Sequence, residues 1–416
     1  MLFVFMFSIA IMLLIEWKVS KSLINIFSMF AVPYFLIIPL NNLFIADYLG
    51  FYKISNQVMK MLLLGLTSIF VGCLVIGISN SRRIQNVKLA DDADALFERY
   101  NVRKMGRLIL LIEFIMLIRA VRIYLQSGIG GFSNTDGSYL SGGLGHLYLM
   151  IFPLLPVILL KWLTDKKEKI YLFIYLIGVL ISALSFVKYN VISLIIITYV
   201  FVCIHKKDYI LKGAILMGGL IVAFFVGNYI LGFIANNMLG EVNRVFYLNH
   251  LWMYISGSLI HDNMIFDFGL NQNCGMLYKI IYCLSPIPNM FYKLVTGNTF
   301  SFDINVPLEV LGRNGEAGNV IDFIGFMYSS GFKNQILDNI SFLLFWFVMG
   351  SLFSILFYKG INRQGNIRIT ICIVITFFCI LSFFGVYASL STTWEILIWS
   401  MIIPNFFNGR IVFGRK

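Results

Sequence analysis

The residues best suited to chemistry lie in one polar stretch of the chain, residues 236–340, which separates two apolar segments. Four of its side chains can take a proton from a hydroxyl group, namely Glu316, Asp322, His250 and Asp262. The first three are the preferred candidate catalytic bases. The same stretch contains Arg313 and Arg244, and the planar guanidinium group of an arginine can bind two phosphate oxygens at once. Together these residue types indicate a reaction at a hydroxyl group close to a phosphate or pyrophosphate.

Aromatic side chains accompany these groups and suit the recognition of sugar rings. The candidate sugar-binding residues are Tyr247, Trp252, Tyr254 and Asn319. Aromatic rings can stack on sugar faces, and anchoring of Trp and Tyr at the membrane interface is the alternative. Asn319 also follows a glycine-bracketed turn that contains Arg313. This pattern predicts a helix capped by Asn319, with Asp322 in its first turn.

Two basic residues outside this stretch are weaker candidates for phosphate binding. Arg122 lies at the end of an apolar segment, just before the glycine-rich residues 127–145. Lys188 lies in a short turn between two apolar segments. An ionisable group at membrane depth is costly and indicates function, with snorkelling of the side chain to the interface as the alternative. Lys279 and Lys293 are expected instead to be solvated or interfacial charges.

The composition shows that a membrane must position these groups. Of the 416 residues, 59% are hydrophobic and only 12% are charged, which is more apolar surface than a soluble core of this size can bury. Several apolar runs exceed the length of about 18 residues at which a helix can cross a bilayer. We predict an all-α, polytopic membrane protein with about eleven (10–14) transmembrane helices. They lie near residues 2–15, 22–40, 58–79, 108–126, 143–160, 170–186, 191–204, 213–235, 341–358, 369–387 and 393–407.

Basic residues are concentrated in alternate loops of this arrangement. Most of the 32 lysines and arginines lie on one side if the eleven segments simply alternate, and the positive-inside rule makes that side the cytoplasm. The N-terminus is then outside and the C-terminus inside. Residues 1–416 are predicted to form a single membrane domain, with residues 236–340 as one large extracytoplasmic loop containing short helices. The net charge of +12 therefore indicates topology, and no nucleic-acid partner is expected.

The sequence contains no motif for a metal or another cofactor. The four histidines, at positions 146, 205, 250 and 261, do not have the spacing of metal ligands. There is also no P-loop, no dinucleotide fingerprint and no nucleophile–base triad. We therefore expect no cofactor and no metal site.

In layout, the chain resembles the bacterial O-antigen and capsular repeat-unit polymerases of the Wzy type. The resemblance rests on some eleven spans, one large outer loop in the C-terminal half, a KYN turn that contains Lys188, and a closing N-x-x-D-F-x-G segment. That segment is formed here by Asn319, Asp322, Phe323 and Gly325.

The resemblance implies a metal-independent, inverting glycosyltransferase of the integral-membrane GT-C type in the bacterial inner (cytoplasmic) membrane. Such an enzyme would transfer the growing glycan from undecaprenyl pyrophosphate to a new lipid-linked repeat unit at the outer face. The implied partners are the lipid-linked glycan, membrane lipid and a chain-length regulator. A polysaccharide flippase or other transporter, and an O-antigen ligase, are the alternatives.

Overall fold

The structure is a computed structural model. It describes residues 1–84, 96–97, 99–128, 139–140, 142–185, 187–206, 208–235, 244–267, 275–302, 304, 306, 308–313, 315–328, 335–361 and 366–407. For a few helical residues within these ranges, among them Arg244 and Tyr247, only the backbone is described.

The described chain is mostly helical, and a helix overlaps each apolar segment predicted from the sequence. The long helices are Leu2–Ser20, Ile26–Leu40, Asn56–Ile84, Val102–Ser127, Gly142–Ile151, Leu155–Thr164, Lys169–Leu184, Lys188–His205, Tyr209–Ala235, Arg244–His261, Gln335–Ile361 and Ser391–Ile402. Shorter helices are Ala46–Leu49, Asn263–Asp267, Met276–Leu284, Pro286–Thr296, Phe323–Tyr328 and Asn366–Val374. Two strands, Glu309–Val310 and Ala317–Gly318, form an antiparallel hairpin. We call these two strands and the turn between them the hairpin.

Seven of the helices in the described residues are long and apolar enough to cross a membrane. They are Leu2–Ser20, Ile26–Leu49, Asn56–Asn80, Gly142–Thr164, Lys188–His205, Tyr209–Gly227 and Ile336–Gly360. Lys169–Leu184 and Ile367–Phe383 are apolar but shorter. Backbone groups in hydrocarbon must bond to one another, which is why apolar runs of this length fold as helices. The structure agrees with the prediction of a helical membrane protein.

The chain divides into two compact units. The first comprises Met1–Asn86, Arg244–Lys359 and Phe377–Trp394, and the second comprises Val87–Asn243, Gly360–Thr376 and Glu395–Lys416. The first unit therefore contains most of the predicted site residues, whereas Arg122 and Lys188 belong to the second. The single membrane domain expected from the sequence stays a prediction.

Buried hydrogen bonds connect neighbouring helices of the second unit. The hydroxyl of Tyr148 donates to the carbonyl oxygen of Gly178 at 2.6 Å and lies 2.6 Å from the hydroxyl of Ser182. Elsewhere in this unit, a guanidinium nitrogen of Arg368 lies 3.1 Å from Nε2 of His205. A polar group inside an apolar bundle needs a partner, so these contacts specify which helices are neighbours.

An aromatic core holds the helices of the first unit together. Trp346 is 0% exposed, and its ring centroid lies 5.9 Å from that of Phe30 and 5.2 Å from that of Phe323. Both contacts are edge-to-face, the geometry that aromatic pairs favour. Phe323 begins the helix that follows the hairpin, so this core fixes one end of the polar region.

Two glycines allow the helices Asn56–Ile84 and Gln335–Ile361 to pack closely. A Cβ atom on Gly72 or on Gly350 would overlap a backbone carbonyl oxygen of the facing helix. Hydrogen bonds to the carbonyl oxygens of these glycines, from a serine hydroxyl at 3.3 Å and a cysteine thiol at 3.6 Å, cross the same contact. Small residues at such a contact let two helix backbones approach each other.

We expect Gly72→Ala and Gly350→Ala each to destabilise the protein. The added methyl group meets backbone rather than a movable side chain, and such overpacking costs about 1–3 kcal/mol. Gly218→Ala is the matched control, because a Cβ there meets no described atom within 4 Å. Melting temperatures of the purified variants test this, and equal values for all three would contradict the close packing.

Candidate functional site

The turn that carries Arg313 and Glu316 is held by backbone hydrogen bonds on both sides. The N–H of Leu311 donates to the carbonyl oxygen of Glu316 at 2.6 Å and closes the turn. The N–H of Arg313 donates to the carbonyl oxygen of Gly50 at 2.8 Å, and the N–H of Tyr52 donates to that of Leu311 at 3.0 Å. The segment that follows the second long helix therefore fixes the position of the turn.

Glu316 is half-buried, and one neighbour orients its carboxylate. Its Oε1 accepts a hydrogen bond from the side-chain amide of Asn249 at 2.8 Å. Its Oε2 lies against Gly312, where a Cβ atom would come within 2.8 Å of it, and no described residue donates to this oxygen. This oxygen is shielded from solvent by the turn itself, so Asn249 and the turn together fix the orientation of the carboxylate.

Arg313 is exposed on the same turn. Its backbone is fixed, while its guanidinium group extends towards solvent. A cation presented on ordered backbone can bind an anion without the entropic penalty of ordering the chain. Glu316 and Arg313 thus place a proton acceptor and a phosphate-binding group on one tight turn.

The helix Arg244–His261 packs against the hairpin and carries most of the predicted aromatic contacts. The indole N–H of Trp252 donates to the side-chain oxygen of Asn41 at 2.9 Å. The rings of His250 and Tyr254 are 5.6 Å apart, and both residues are half-buried. All three side chains are half-buried, and the hydrogen bond to Asn41 also anchors Trp252.

The helix after the hairpin begins later than the sequence predicts. It spans Phe323–Tyr328, and the side chain of Asp322 accepts from the N–H groups of Ile324 at 3.0 Å and Gly325 at 2.7 Å. These bonds satisfy the first free N–H groups of the helix, so Asp322 is its cap. The predicted cap at Asn319 is wrong, because a carboxylate directly before the helix takes that position. Asn319 is exposed.

Asp322 and Asp262 form a fully buried pair of carboxyl groups, each 0% exposed. The hydroxyl of Tyr34 donates to Oδ2 of Asp322 at 2.7 Å, whereas the two oxygens of Asp262 are buried and Asp322 is the neighbour that influences them most. Burial, and secondly the charge of Asp322, raise the pKa of Asp262 well above its usual range. Burial likewise raises the pKa of Asp322. Asp322 is thus buried and engaged by Tyr34 and by backbone N–H groups, so it is not open to a substrate hydroxyl.

The carboxyl pair explains the glycine of the closing N-x-x-D-F-x-G segment. A Cβ atom on Gly325 would lie 2.6 Å from a carboxyl oxygen of Asp262 and 2.6 Å from one of Asp322. A side chain at this position would separate the two carboxyls. The glycine is therefore required here by packing against the two carboxyl groups.

Lys279 is not the solvated or interfacial charge that the sequence suggests. It is 0% exposed, and its Nζ donates to the carbonyl oxygen of Phe326 at 2.5 Å and lies 4.8 Å from the centroid of the Phe326 ring. The expectation is wrong because the sequence does not reveal which face of the helix Met276–Leu284 is covered. Lys293 is exposed, as expected.

Arg122 and Lys188 belong to the second unit, whereas the hairpin residues belong to the first. Arg122 is exposed on the helix Val102–Ser127. Lys188 begins its helix, is half-buried, and holds its Nζ 5.3 Å from the centroid of the Phe225 ring. Their role in phosphate binding stays a prediction.

The described residues contain no group of three or more His, Cys, Asp or Glu side chains arranged to hold a metal ion. Comparisons with family models, curated proteins and solved structures found no match for this chain. The functional assignment therefore depends on the residues and their geometry.

The second unit also contains an oriented histidine that the sequence analysis did not identify. Nδ1 of His146 lies 2.8 Å and 2.9 Å from the two carboxylate oxygens of Glu395, and the indole N–H of Trp399 donates to one of them at 3.2 Å. The imidazole is 65% exposed and the carboxylate 8%. Because the carboxylate orients Nδ1, Nε2 is the nitrogen that can exchange a proton with a ligand. The two residues are 249 positions apart, so no local motif reveals the pair.

We expect the carboxyl pair to make stability depend on pH. The pKa of each carboxyl is raised in the folded state, so the free energy of unfolding is highest at acid pH. It falls as pH rises through the pKa of the folded state, because a second buried charge must then form. Asp262→Asn keeps the size of the side chain but cannot ionise, so its melting temperature should fall less between mildly acid and alkaline pH than that of the wild type.

Asp47→Asn is the matched control for this measurement, since Asp47 is a surface carboxylate with a side chain 65% exposed. It should follow the wild-type pH dependence. Parallel plots of melting temperature against pH for the wild type and Asp262→Asn would show that the carboxyl pair does not cause the pH dependence.

Proposed function

We propose that this protein polymerises lipid-linked oligosaccharide repeat units at the outer face of the bacterial inner membrane. The observation that carries the proposal is the turn on which Glu316, oriented by Asn249, lies beside the exposed Arg313. Glycosyl transfer from a lipid pyrophosphate requires these two groups, a proton acceptor for the incoming hydroxyl and a cation for the departing phosphate. The apolar helices suit a substrate that is held in the membrane by its lipid.

In the proposed reaction, Arg313 binds the pyrophosphate of the growing undecaprenyl-linked glycan. Glu316 takes the proton from a hydroxyl of the non-reducing sugar on a new repeat unit. The hydroxyl oxygen bonds to the anomeric carbon from the face opposite the pyrophosphate, and the configuration inverts. The bond to the pyrophosphate breaks with its electron pair, and undecaprenyl pyrophosphate leaves. The guanidinium offsets the charge of the leaving group, so the proposed enzyme needs no metal.

The remaining predicted residues have supporting roles in this proposal. His250 is the second candidate base, because it lies on the helix that orients Glu316 and is not fully buried. Asp322 is assigned to the fold, since its oxygens are engaged by Tyr34 and by backbone N–H groups. The residues proposed to contact the sugar are Tyr247, Trp252, Tyr254 and Asn319. The further residues proposed to contact phosphate are Arg244, Arg122 and Lys188.

The proposal requires the 236–340 region to lie outside the cytoplasm. Eleven spans, with the N-terminus outside and the C-terminus in the cytoplasm, meet this requirement. In this topology the basic turn around Lys166 and Lys167 is cytoplasmic. A chain-length regulator is a further proposed partner at the outer face.

A transporter is the second candidate function, and one observation favours it. Glu113 in the second unit is 1% exposed, and neither of its carboxylate oxygens accepts a bond from a described donor. Buried ionisable groups inside helix bundles mark ion and proton pathways. An O-antigen ligase would form the same kind of bond on a different acceptor, so the length of the product distinguishes it from a polymerase.

We expect a membrane-impermeant maleimide to label the two predicted sides differently. In a cysteine-free background, Asn298→Cys lies on an exposed position of the 236–340 region, and Lys167→Cys on an exposed position of the predicted cytoplasmic turn. The first should react in intact spheroplasts and the second only after lysis. The reverse pattern would place the proposed site on the wrong side of the membrane.

We expect Arg313→Lys and Glu316→Gln to abolish most polymerisation. A lysine cannot reproduce the two-point contact of a guanidinium with phosphate, and glutamine cannot take a proton. Loss of such a contact in the transition state reduces the rate by about 30- to 1,000-fold. The measurement is the ladder of products on a gel, formed by purified protein in EDTA from lipid-linked repeat units extracted from cells that lack it.

Lys293→Ala and Glu168→Gln are the matched controls, since Lys293 is exposed, Glu168 is partly exposed, and both charges lie outside the proposed site. Both should form the ladder at the wild-type rate. Full polymerisation activity of Arg313→Ala and Glu316→Gln would refute this assignment. Loss of activity in His146→Gln alone would indicate that the reaction takes place in the second unit. If the wild type forms no ladder but transports a substrate, and the transport requires Glu113, the transporter is supported.

A further inference from the structure

A cavity of 570 Å³ lies in the first unit, beside the hairpin. One wall is the junction between the helices Arg244–His261 and Asn263–Asp267, another is the segment after the second long helix, and the third is the strand Glu309–Val310. Its volume is within the range of about 300–1,000 Å³ in which proteins enclose small ligands. The polar residues that line it are Tyr52, Lys53, Ser55, His261, Asn263 and Glu309.

The walls of this cavity are fixed by hydrogen bonds. The side-chain amide of Asn263 donates to the carbonyl oxygen of Lys53 at 3.0 Å, and its oxygen accepts from the N–H of Ser55 at 2.9 Å. The N–H of Tyr52 donates to the carbonyl oxygen of Leu311 at 3.0 Å. The cavity therefore exists before a ligand enters, which lowers the entropic cost of binding.

The lining suits a hydroxyl-rich ligand rather than a phosphate. The cation of Lys53 is already paired with Asp47 at 2.8 Å, and the other charged lining residue, Glu309, is acidic. A pyrophosphate would find no uncompensated cation there. Tyr52 is 44% exposed and supplies an aromatic face, and Glu309 supplies an acceptor for hydroxyl groups. An aromatic face with nearby hydrogen-bonding groups matches the two surfaces of a sugar ring.

The cavity also adjoins the proposed catalytic turn. Leu311 forms part of its wall, and the N–H of Leu311 donates to the carbonyl oxygen of Glu316 at 2.6 Å. A ligand in the cavity is thus separated from the turn by one strand of the hairpin. We propose that the cavity binds the saccharide of the incoming repeat unit, the acceptor. This inference rests on the proposed function, to which it adds the acceptor subsite.

The test is a ligand-observed NMR titration of the full-length, detergent-purified protein. The probe is the oligosaccharide released by mild acid from lipid extracts of cells that lack this protein. Wild-type protein should bind it, and Tyr52→Ala and Glu309→Gln should each weaken binding by about tenfold, the effect of losing one good contact. Tyr52→Phe should retain binding, because it keeps the aromatic ring. Retained binding would also show that a substitution at this position leaves the site folded.

Tyr48→Ala is the matched control, since Tyr48 is 74% exposed and does not line the cavity. It should bind as the wild type does. Displacement of the oligosaccharide by inorganic pyrophosphate, or unchanged binding in Tyr52→Ala and Glu309→Gln, would overturn the assignment.

The outcomes separate this inference from the proposed function. If the wild type forms a product ladder but the cavity variants bind and polymerise normally, the acceptor subsite is elsewhere and the polymerase stands. If the oligosaccharide binds and the cavity variants lose it, but no ladder forms, the saccharide site stands and the polymerase does not.

Discussion

A pair of buried carboxyl groups, Asp322 and Asp262, lies where three segments of the first unit meet. Asp322 bonds to Tyr34 of the second long helix and to the start of the helix Phe323–Tyr328, while Asp262 directly follows the helix Arg244–His261. Burial raises the pKa of both carboxyls, so two negative charges are disfavoured in so apolar a place. Three segments that are distant in sequence are thereby held in one arrangement. The hairpin lies on the chain between the two carboxyls, and backbone hydrogen bonds to Gly50 and Tyr52 fix its position.

The polar groups of the first unit are separated by chemical type. Arg313 presents an exposed cation on the turn, whereas the single lysine of the cavity is paired with Asp47. The turn is therefore suited to an anion and the cavity to a neutral, hydroxyl-bearing ligand. Glu316 lies on the turn with one oxygen oriented by Asn249 and the other without a described donor. This separation is what a transfer between a charged donor and a carbohydrate acceptor requires.

The second unit carries polar groups of a different kind. His146 and Glu395 combine an accessible imidazole with a shielded carboxylate, and Glu113 is enclosed among helices. An accessible imidazole can exchange protons with a ligand, whereas an enclosed carboxylate is typical of ion or proton pathways. These groups are why the transporter remains the rival to the polymerase. The transporter requires Glu113 and the polymerase requires Glu316, so substitutions of these two residues distinguish the two functions.

The sequence by itself determined that the chain is helical and that several of its helices are long and apolar enough to cross a membrane. Continuous apolar runs must fold as helices in lipid, whatever their neighbours, and the segments predicted from them coincide with the observed helices. It also predicted the turn that carries Arg313 and Glu316, because glycines lie on both sides of these residues. These features depend on residues that are close together along the chain.

Only the tertiary structure decided the partners of the buried polar groups. The sequence suggested Asp322 as a base and Lys279 as a surface charge, but both are 0% exposed. It contained no signal for the pairs Asp262–Asp322 and His146–Glu395, whose members are far apart in the chain. Burial and pairing arise from contacts between distant segments, and local hydrophobicity does not encode them. The physical role of an ionisable residue in this protein therefore follows from which helices pack around it.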